Sequence, residues 1–231
     1  MRVEPARALI FDMDGTMIDS MGHHRRSWIA FAAHHGLAIE VDDLMRRTTG
    51  RTGAECMSEL FGRPVPHDEA WALVQLKERL YREAFGPEFR EVAGFRDFFG
   101  HAAARGLRLG VGTAGDAENI AFALGHLALP HAPHAVVGGD EGLPGKPEPA
   151  IFLEVARRLG VGPGECVVFE DAPLGIEAAR RAGMRAVAVC TTHRADELGG
   201  AHVIAAIDNY DGLAGKAWVR TLMETNDAAT A

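Results

Sequence analysis

Leu9-Ile10-Phe11-Asp12-Met13-Asp14-Gly15-Thr16 is the stretch that decides the fold. An apolar run stops at two carboxylates one residue apart, and a glycine follows. A short apolar run of this kind reads as a buried strand. Side chains alternate along a strand, so Asp12 and Asp14 can project to the same side where it ends. Gly15 lets the backbone turn sharply just afterwards. Two carboxylates at the mouth of a buried strand are costly unless something offsets their charge. A divalent cation is the obvious candidate. The plainer alternative is that both close the strand as turn residues, a place Asp favours.

From about Met21 to Phe89 the chain changes character: β-branched runs give way to helical spacing. Helices are expected over His24–Gly36, a short piece after Asp42 or Asp43, Thr52–Phe61 and Glu69–Phe85. Ile29 and Trp71 count among their apolar residues. Beyond, strands and helices alternate. Strands are expected at Leu107–Gly112, Ala135–Gly138, Cys166–Glu170, Ala186–Cys190 and Val203–Ala206. Between and after them lie helices to about Arg105 and at Asp116–Leu127, Pro147–Leu159, Leu174–Ala182 and Tyr210–Met223. This order predicts an α/β fold: a doubly wound, mostly parallel, Rossmann-like sheet with a small helical domain inserted after the first strand. The expected division is a catalytic core over 1–19 and 90–224, the insertion over 20–89 and a frayed tail over 225–231.

The bulk composition narrows the function. Hydrophobic residues make up 47% and charged residues 24% of 231, as in an ordinary globular protein. A net charge of −8 argues against a nucleic-acid partner. An anionic substrate would therefore need local positive charge. Cys56, Cys166 and Cys190 are odd in number and widely spaced, which reads as reduced core thiols and a cytoplasmic location. No signal-peptide pattern or membrane-length apolar run is apparent, so no membrane association is expected. No long heptad pattern calls for a partner subunit, and a monomer is the default expectation.

In a parallel sheet the ligand sits at the carboxyl ends of the strands. Those ends carry Asp12 and Asp14, then Thr113-Ala114-Gly115, then Glu170-Asp171. The loop Gly142-Leu143-Pro144-Gly145-Lys146-Pro147 delivers one of only three lysines just before a helix. Oxygen ligands at this density select Mg²⁺ over zinc. Asp12 and Asp171 are the expected ligands, with the Asp14 backbone carbonyl possible and Glu170 as an alternative or supporting group. A carboxylate left free can attack phosphorus and form an aspartyl phosphate. A second can protonate the leaving alkoxide and later deprotonate water. Asp12 and Asp14 suit these roles. At about 4 Å and an effective dielectric near 20, carboxylate and phosphate repel by roughly 4 kcal/mol per charge pair, which Mg²⁺ and Lys146 would offset. Thr113 and the amides from Ala114 onward can hold phosphate oxygens at the next helix's N-terminus.

Asp12-Met13-Asp14-Gly15-Thr16, Thr113, Lys146 and Glu170-Asp171 resemble, in order and spacing, the four motifs of the haloacid dehalogenase-like superfamily. Phe169-Glu170-Asp171-Ala172-Pro173-Leu174-Gly175-Ile176-Glu177-Ala178-Ala179 is similar to its β-phosphoglucomutase-like branch of sugar-phosphate phosphatases and mutases. The resemblance implies Asp12 as nucleophile, Asp14 as acid/base, Thr113 and Lys146 on phosphate, and Mg²⁺ on Asp12, Asp14 and Asp171. It also implies that the helical insertion is a cap. Dehalogenases lack the second aspartate, which is present here. Phosphonate hydrolases use a cap lysine soon after the first motif, and Met21–Arg63 contains none. His24 and Trp28 match the mutase branch, where the histidine helps hold the acid/base aspartate. Lys77 with Tyr81 resembles a cap pair near the substrate's distal groups. Against a mutase, Gly53 stands where the mutases carry a phosphate-binding arginine, although Arg51 is nearby. His24, Arg51 and Lys77 also admit a plainer reading as solvated helix and loop residues, and His34, His35, His126, His131 and His134 read as surface histidines. The expectation is an Mg²⁺-dependent phosphatase of a small phosphorylated metabolite, a sugar phosphate or close relative. A phosphosugar mutase and a non-catalytic binding module on the same fold are the alternatives.

Overall fold

The computed structural model describes residues 4–224; the tail expected over 225–231 lies outside them. Strand β1 (Ala8–Phe11) has every residue buried. It pairs in parallel with β2 (Arg108–Gly112) on one side and β4 (Cys166–Glu170) on the other, with Ile10 opposite Gly110 and Val168. Strand β3 (Ala135–Val137) flanks β2, and β5 (Arg185–Val189) and β6 (Val203–Ile207) continue past β4. All the pairings are parallel, in the order β3-β2-β1-β4-β5-β6. Winding runs outward from β1 in one direction and resumes at β4 in the other. The switch point, where such sheets bind ligands, therefore lies between the ends of β1 and β4.

The two-residue period of β1 divides the core. Leu9 and Phe11 join Leu109, Val111, Val167 and Phe169 on the face covered by α5 (Phe95–Ala104) and α6 (Ala117–Leu127). Ala8 and Ile10 face α7 (Ala150–Leu159) and α8 (Pro173–Arg181) through Val155, Phe152 and Ile176. Phe11 meets Phe95 edge to face at 5.2 Å and Phe169 at 5.0 Å. Each large side chain buried this way contributes roughly 1.5–3 kcal/mol.

Between β1 and β2 run α1 (Met21–His34), α2 (Val41–Thr48), α3 (Gly53–Phe61) and α4 (His67–Phe85). They surround an apolar cluster of their own, including Trp28, Phe31, Leu44, Met57 and Val74. The two connections to the sheet lie side by side. Val92 N–H donates to Met17 O at 3.0 Å and Asp19 N–H to Arg90 O at 3.1 Å. The insertion is not wholly separate, because Tyr81 and Phe85 of α4 belong to the sheet's own core.

The sequence reading needs correction in places. The last helix, α9, is Ala217–Leu222 and does not start at Tyr210. Tyr210 donates its N–H to Ala93 O at 2.8 Å, its ring packs on Phe95, Phe98 and Phe169, and Gly212 then turns at φ 64°. Helix α7 begins at Ala150, since Pro147 and Pro149 precede its first turn. Ile29 is 44% and Trp71 50% exposed, so neither is core.

Gly110 is a site of close approach: a Cβ there would run into Val155 of α7. Gly110→Ala should lower stability by about 1–3 kcal/mol through overpacking, read as a lower urea midpoint at unchanged slope. Gly125→Ala, on the open side of α6 with nothing within 4 Å, should instead stabilise by about 0.5–1 kcal/mol.

Candidate active site

Asp12 follows β1 directly, and its N–H donates to Phe169 O at 3.0 Å, continuing the ladder towards β4. Its carboxylate is held by Lys146, whose Nζ lies 2.5 Å from Asp12 Oδ1 and 2.7 Å from Glu170 Oε1. Lys146 is 1% exposed, so this ammonium has exchanged water for two carboxylates. Glu170 Oε2 accepts from the Ala172 amide at 2.6 Å. Thr16 Oγ1 donates to Asp171 Oδ1 at 3.1 Å. Burial pushes the Asp12 carboxyl up to about 7; Lys146 opposes the shift, and Glu170 and Asp14 add to it. Asp171 is driven well above the usual carboxylate range by burial, then by Glu170 and Asp12. Burial alone would lower the Lys146 pKa, but Asp12 and Glu170 outweigh it and raise it.

One oxygen each of Asp12, Glu170 and Asp171 lies within 4.8 Å of the others. Asp171 Oδ2 is buried without a hydrogen-bond partner. Gly15, at φ 78°, leaves open the space beside it that a Cβ would fill. An orphaned buried carboxylate oxygen in an all-oxygen cluster fits a hard divalent cation such as Mg²⁺. Both Glu170 oxygens are already engaged, so Asp12 and Asp171 are the better placed of the three to hold it.

Asp14 faces the insertion. Its Oδ1 accepts from Ser20 Oγ at 2.7 Å, His24 Nε2 at 3.0 Å and Tyr81 Oη at 3.2 Å. Ser20 stands at the N-cap of α1 yet makes no side-chain cap bond, because its hydroxyl is spent on Asp14. Lys77 Nζ lies 2.7 Å from His24 Nδ1. An ammonium only donates, so this contact assigns the neutral ring's proton to Nε2, pointing at Asp14. The His24 ring stacks on Tyr81 at 3.8 Å. Burial would raise the Asp14 carboxyl, but the hydrogen bonds from His24 and Ser20 and the charge of Lys77 hold it below its usual value.

The pocket between sheet and insertion is lined by Asp12, Asp14 and Thr113 below and by Arg51, Lys77 and Glu78 above. Thr113 Oγ1 accepts from Gly115 N–H at 3.0 Å, and Ala114 and Gly115 lead into α6, capped by Asp116. The α2–α3 loop rests on the sheet side. Lys146 N–H donates to Gly50 O at 3.1 Å, Gly145 N–H to Glu55 Oε1 at 3.3 Å, and Gln75 to Asp116 at 3.2 Å. Arg51 reaches Glu59 at 3.6 Å, with its Nε buried and unpartnered.

The structure thus joins Lys146 directly to Asp12 and Glu170, sets an Asp171 oxygen within 4.8 Å of theirs, and joins His24 and Lys77 to Asp14. It sets Thr113 and Arg51 around the same pocket. The five other histidines singled out in the sequence are exposed. Sequence reasoning missed Ser20, Glu55, Glu78 and Asn119. Only Glu55 had a local signal, the Thr52-Gly53-Ala54-Glu55 capping-box spacing.

A family model described as haloacid dehalogenase-like hydrolase matches residues 6–183. A fructose-1-phosphate phosphatase of Escherichia coli (strain K12) is 35% identical over 184 residues, 78% of this chain and 95% of its own length. A validoxylamine A 7'-phosphate phosphatase of Streptomyces hygroscopicus subsp. limoneus is 32% identical over 200 residues, covering 86% of this chain and 92% of that protein. A β-phosphoglucomutase of Clostridium difficile superposes with a TM-score of 0.77 at 23% identity, over 90% of this chain and 93% of that one; the likeness is one of fold.

Lys146→Met leaves Asp12 and Glu170 buried with no counter-charge. In EDTA at neutral pH the variant should lose about 3–5 kcal/mol of stability by urea unfolding. A loss below about 0.5 kcal/mol would mean that the ammonium does not hold this cluster together.

Proposed function

The chain belongs to the haloacid dehalogenase-like hydrolases, and from that premise we propose that it is an Mg²⁺-dependent phosphatase of a small sugar phosphate, working through phospho-Asp12. The observation that carries this reading is the juxtaposition of Asp12, held by buried Lys146, with the partnerless oxygen of Asp171. Asp12 and Asp171 would hold the cation, which when bound offsets phosphate charge and keeps Asp12 ionised.

Asp12 attacks phosphorus in line, its oxygen forming the new P–O bond as the bond to the alkoxide breaks. Lys146, the Thr113 hydroxyl and the Ala114 amide hold the non-bridging oxygens. Asp14 gives the alkoxide its proton. It is ionised in the empty pocket; a phosphate dianion arriving beside it raises its proton affinity, and Asp14 takes up from solvent the proton it then gives. Once the alcohol leaves, ionised Asp14 takes a proton from the water that hydrolyses the acyl phosphate, with His24 and Ser20 fixing its position. The insertion acts as a cap that excludes bulk water, its Gly50 and Glu55 docked on the Lys146 loop.

Support for a sugar phosphate comes from the Escherichia coli relative, named for fructose 1-phosphate. A mutase needs cationic groups at two phosphate sites. Here Lys77 is engaged by Glu78, Arg51 stands 3.6 Å from Glu59, and Gly53 offers no side chain. That favours hydrolysis over isomerisation. Buried free thiols at Cys56 and Cys166 support a reducing, cytoplasmic setting, and no helix among the described residues is long and apolar enough to cross a membrane.

A phosphate-release screen over many phosphorylated metabolites should give turnover with Mg²⁺ and none in EDTA. Asp12→Asn should lower the rate at least about a thousandfold. Asp14→Asn should accumulate protein carrying one added phosphoryl group, seen by intact mass, because the acyl phosphate is formed on an aryl phosphate but not hydrolysed. Wild-type rates from Asp12→Asn would remove the nucleophile assignment. With a glucose 1-phosphate and a trace of the bisphosphate, phosphate should be released; isomerisation without release would make the protein a mutase.

A further inference from the structure

Glu78 has no part in the chemistry described above, yet it lines the pocket from α4. Its Oε1 accepts from Lys77 Nζ at 2.9 Å and its Oε2 from Asn119 Nδ2 at 2.8 Å. Asn119 is turned by Arg82, whose Nη1 donates to Asn119 Oδ1 at 2.7 Å. Each carboxylate oxygen has two acceptor positions, so about half of Glu78's capacity remains for a ligand. Its side chain keeps 13% exposure in a pocket where Lys77 keeps 3%. Burial would raise the Glu78 carboxyl, but Lys77 and the hydrogen bond from Asn119 hold it below its usual value, so it is charged at neutral pH.

Beside Glu78 the one cation, Lys77, is already shared between Glu78 and the His24 ring. Arg51, across the pocket on α3's side, leans on Glu59, which it shares with Arg47, and its Nε has no partner. A second phosphate or a carboxylate arriving at Glu78 meets an acid whose cation is already engaged. A hydroxyl meets an acceptor.

We infer that Glu78 is a specificity-determining residue: it accepts hydrogen bonds from hydroxyls at the non-phosphorylated end of the substrate and excludes substrates with a second anionic group there. The assignment rests on the phosphatase reading and goes beyond it, since it names the substrate class as polyhydroxylated monophosphates with an uncharged far end. Lys77 and Asn119 hold the carboxylate in place, and Arg82 holds Asn119.

The test compares near-isosteric pairs. Sorbitol 6-phosphate and 6-phosphogluconate differ at the far end by a hydroxymethyl against a carboxylate. Fructose 1-phosphate and fructose 1,6-bisphosphate differ by a hydroxyl against a phosphate. Wild-type protein should favour the neutral member of each pair in kcat/KM by at least about tenfold, the order expected for one uncompensated like-charge contact. Glu78→Gln keeps the shape and should shrink that ratio at least about fivefold, mainly through KM for the anionic member. A purely structural role would lower both members together and leave the ratio unchanged, which overturns the assignment. A wild-type preference for the anionic member overturns it as well. The same ratios are measured without turnover as dissociation constants by calorimetry, with Asp12→Asn and Asp12→Asn/Glu78→Gln proteins in Mg²⁺. If no phosphate ester is hydrolysed at all, the phosphatase reading fails while the calorimetric ratio still decides the role of Glu78. If the Glu78→Gln proteins lose their fold by circular dichroism, Glu78→Ser takes their place: it also removes the charge and should shrink the ratio at least about fivefold, and an unchanged ratio overturns the assignment.

Discussion

The contact on which the site depends is the buried ammonium of Lys146 between Asp12 and Glu170. Three carboxylates meet one ammonium there, counting Asp171. With all of them ionised, the cluster carries two negative charges in a region almost closed to water. Protein alone offsets this poorly, and the upward shifts of Asp12 and Asp171 are the result: protons take up the excess. A divalent cation neutralises the same two charges and displaces those protons, so cation binding and carboxylate ionisation are linked. The division of labour follows. Glu170 spends both oxygens on Lys146 and the Ala172 amide, freeing Asp12 and Asp171 to face outward.

That arrangement requires the sheet's order. Asp12 and Glu170 stand on neighbouring strands only because β1 pairs with β4, although 158 positions separate them in sequence. The helical insertion is tied to the same point. Asp14 is two residues from Asp12 but belongs electrically to the insertion, through Ser20, His24 and Tyr81. Any movement of α1 and α4 away from the sheet would loosen three hydrogen bonds to Asp14 and return its proton affinity towards the ordinary value. If the insertion acts as the proposed cap, its closure and the readiness of Asp14 are thereby one event.

The strand ends were legible because each combines an apolar run with a chemical residue just after it: Asp12, Thr113, Glu170 and Asp171. Burial decided those runs, and burial has a local sequence signature. Lys146 was legible for a different reason, its rarity in a chain with few lysines. The last helix was not, since Tyr210 and Leu213 have helical spacing but are recruited by the phenylalanines of α5 and β4. Ile29 and Trp71 have the same spacing as core residues and lie exposed. Glu78 and Asn119 are 41 positions apart, on helices of different bodies. Nothing in either neighbourhood marks the pair, because the contact exists only once insertion and sheet have met. The same holds for Gly50 against Lys146.

The pocket therefore joins two unlike electrostatic designs. Near the sheet, charge is left in excess and waits for a cation and a phosphate. Towards the insertion the charges of α4 are already engaged, Lys77 with Glu78, while Arg51 shares Glu59 with Arg47. In the proposed phosphatase the first design serves any phosphate monoester and carries no information about the alcohol. The second has little net charge to attract a ligand, so it adds little to affinity and discriminates through the cost of misplaced charge or unpaired polar groups. On the proposed reading, a substrate is recognised as a phosphate at one end and as an absence of charge at the other. Specificity on this fold can then change through α4 and the α2–α3 loop without disturbing the ammonium that holds Asp12.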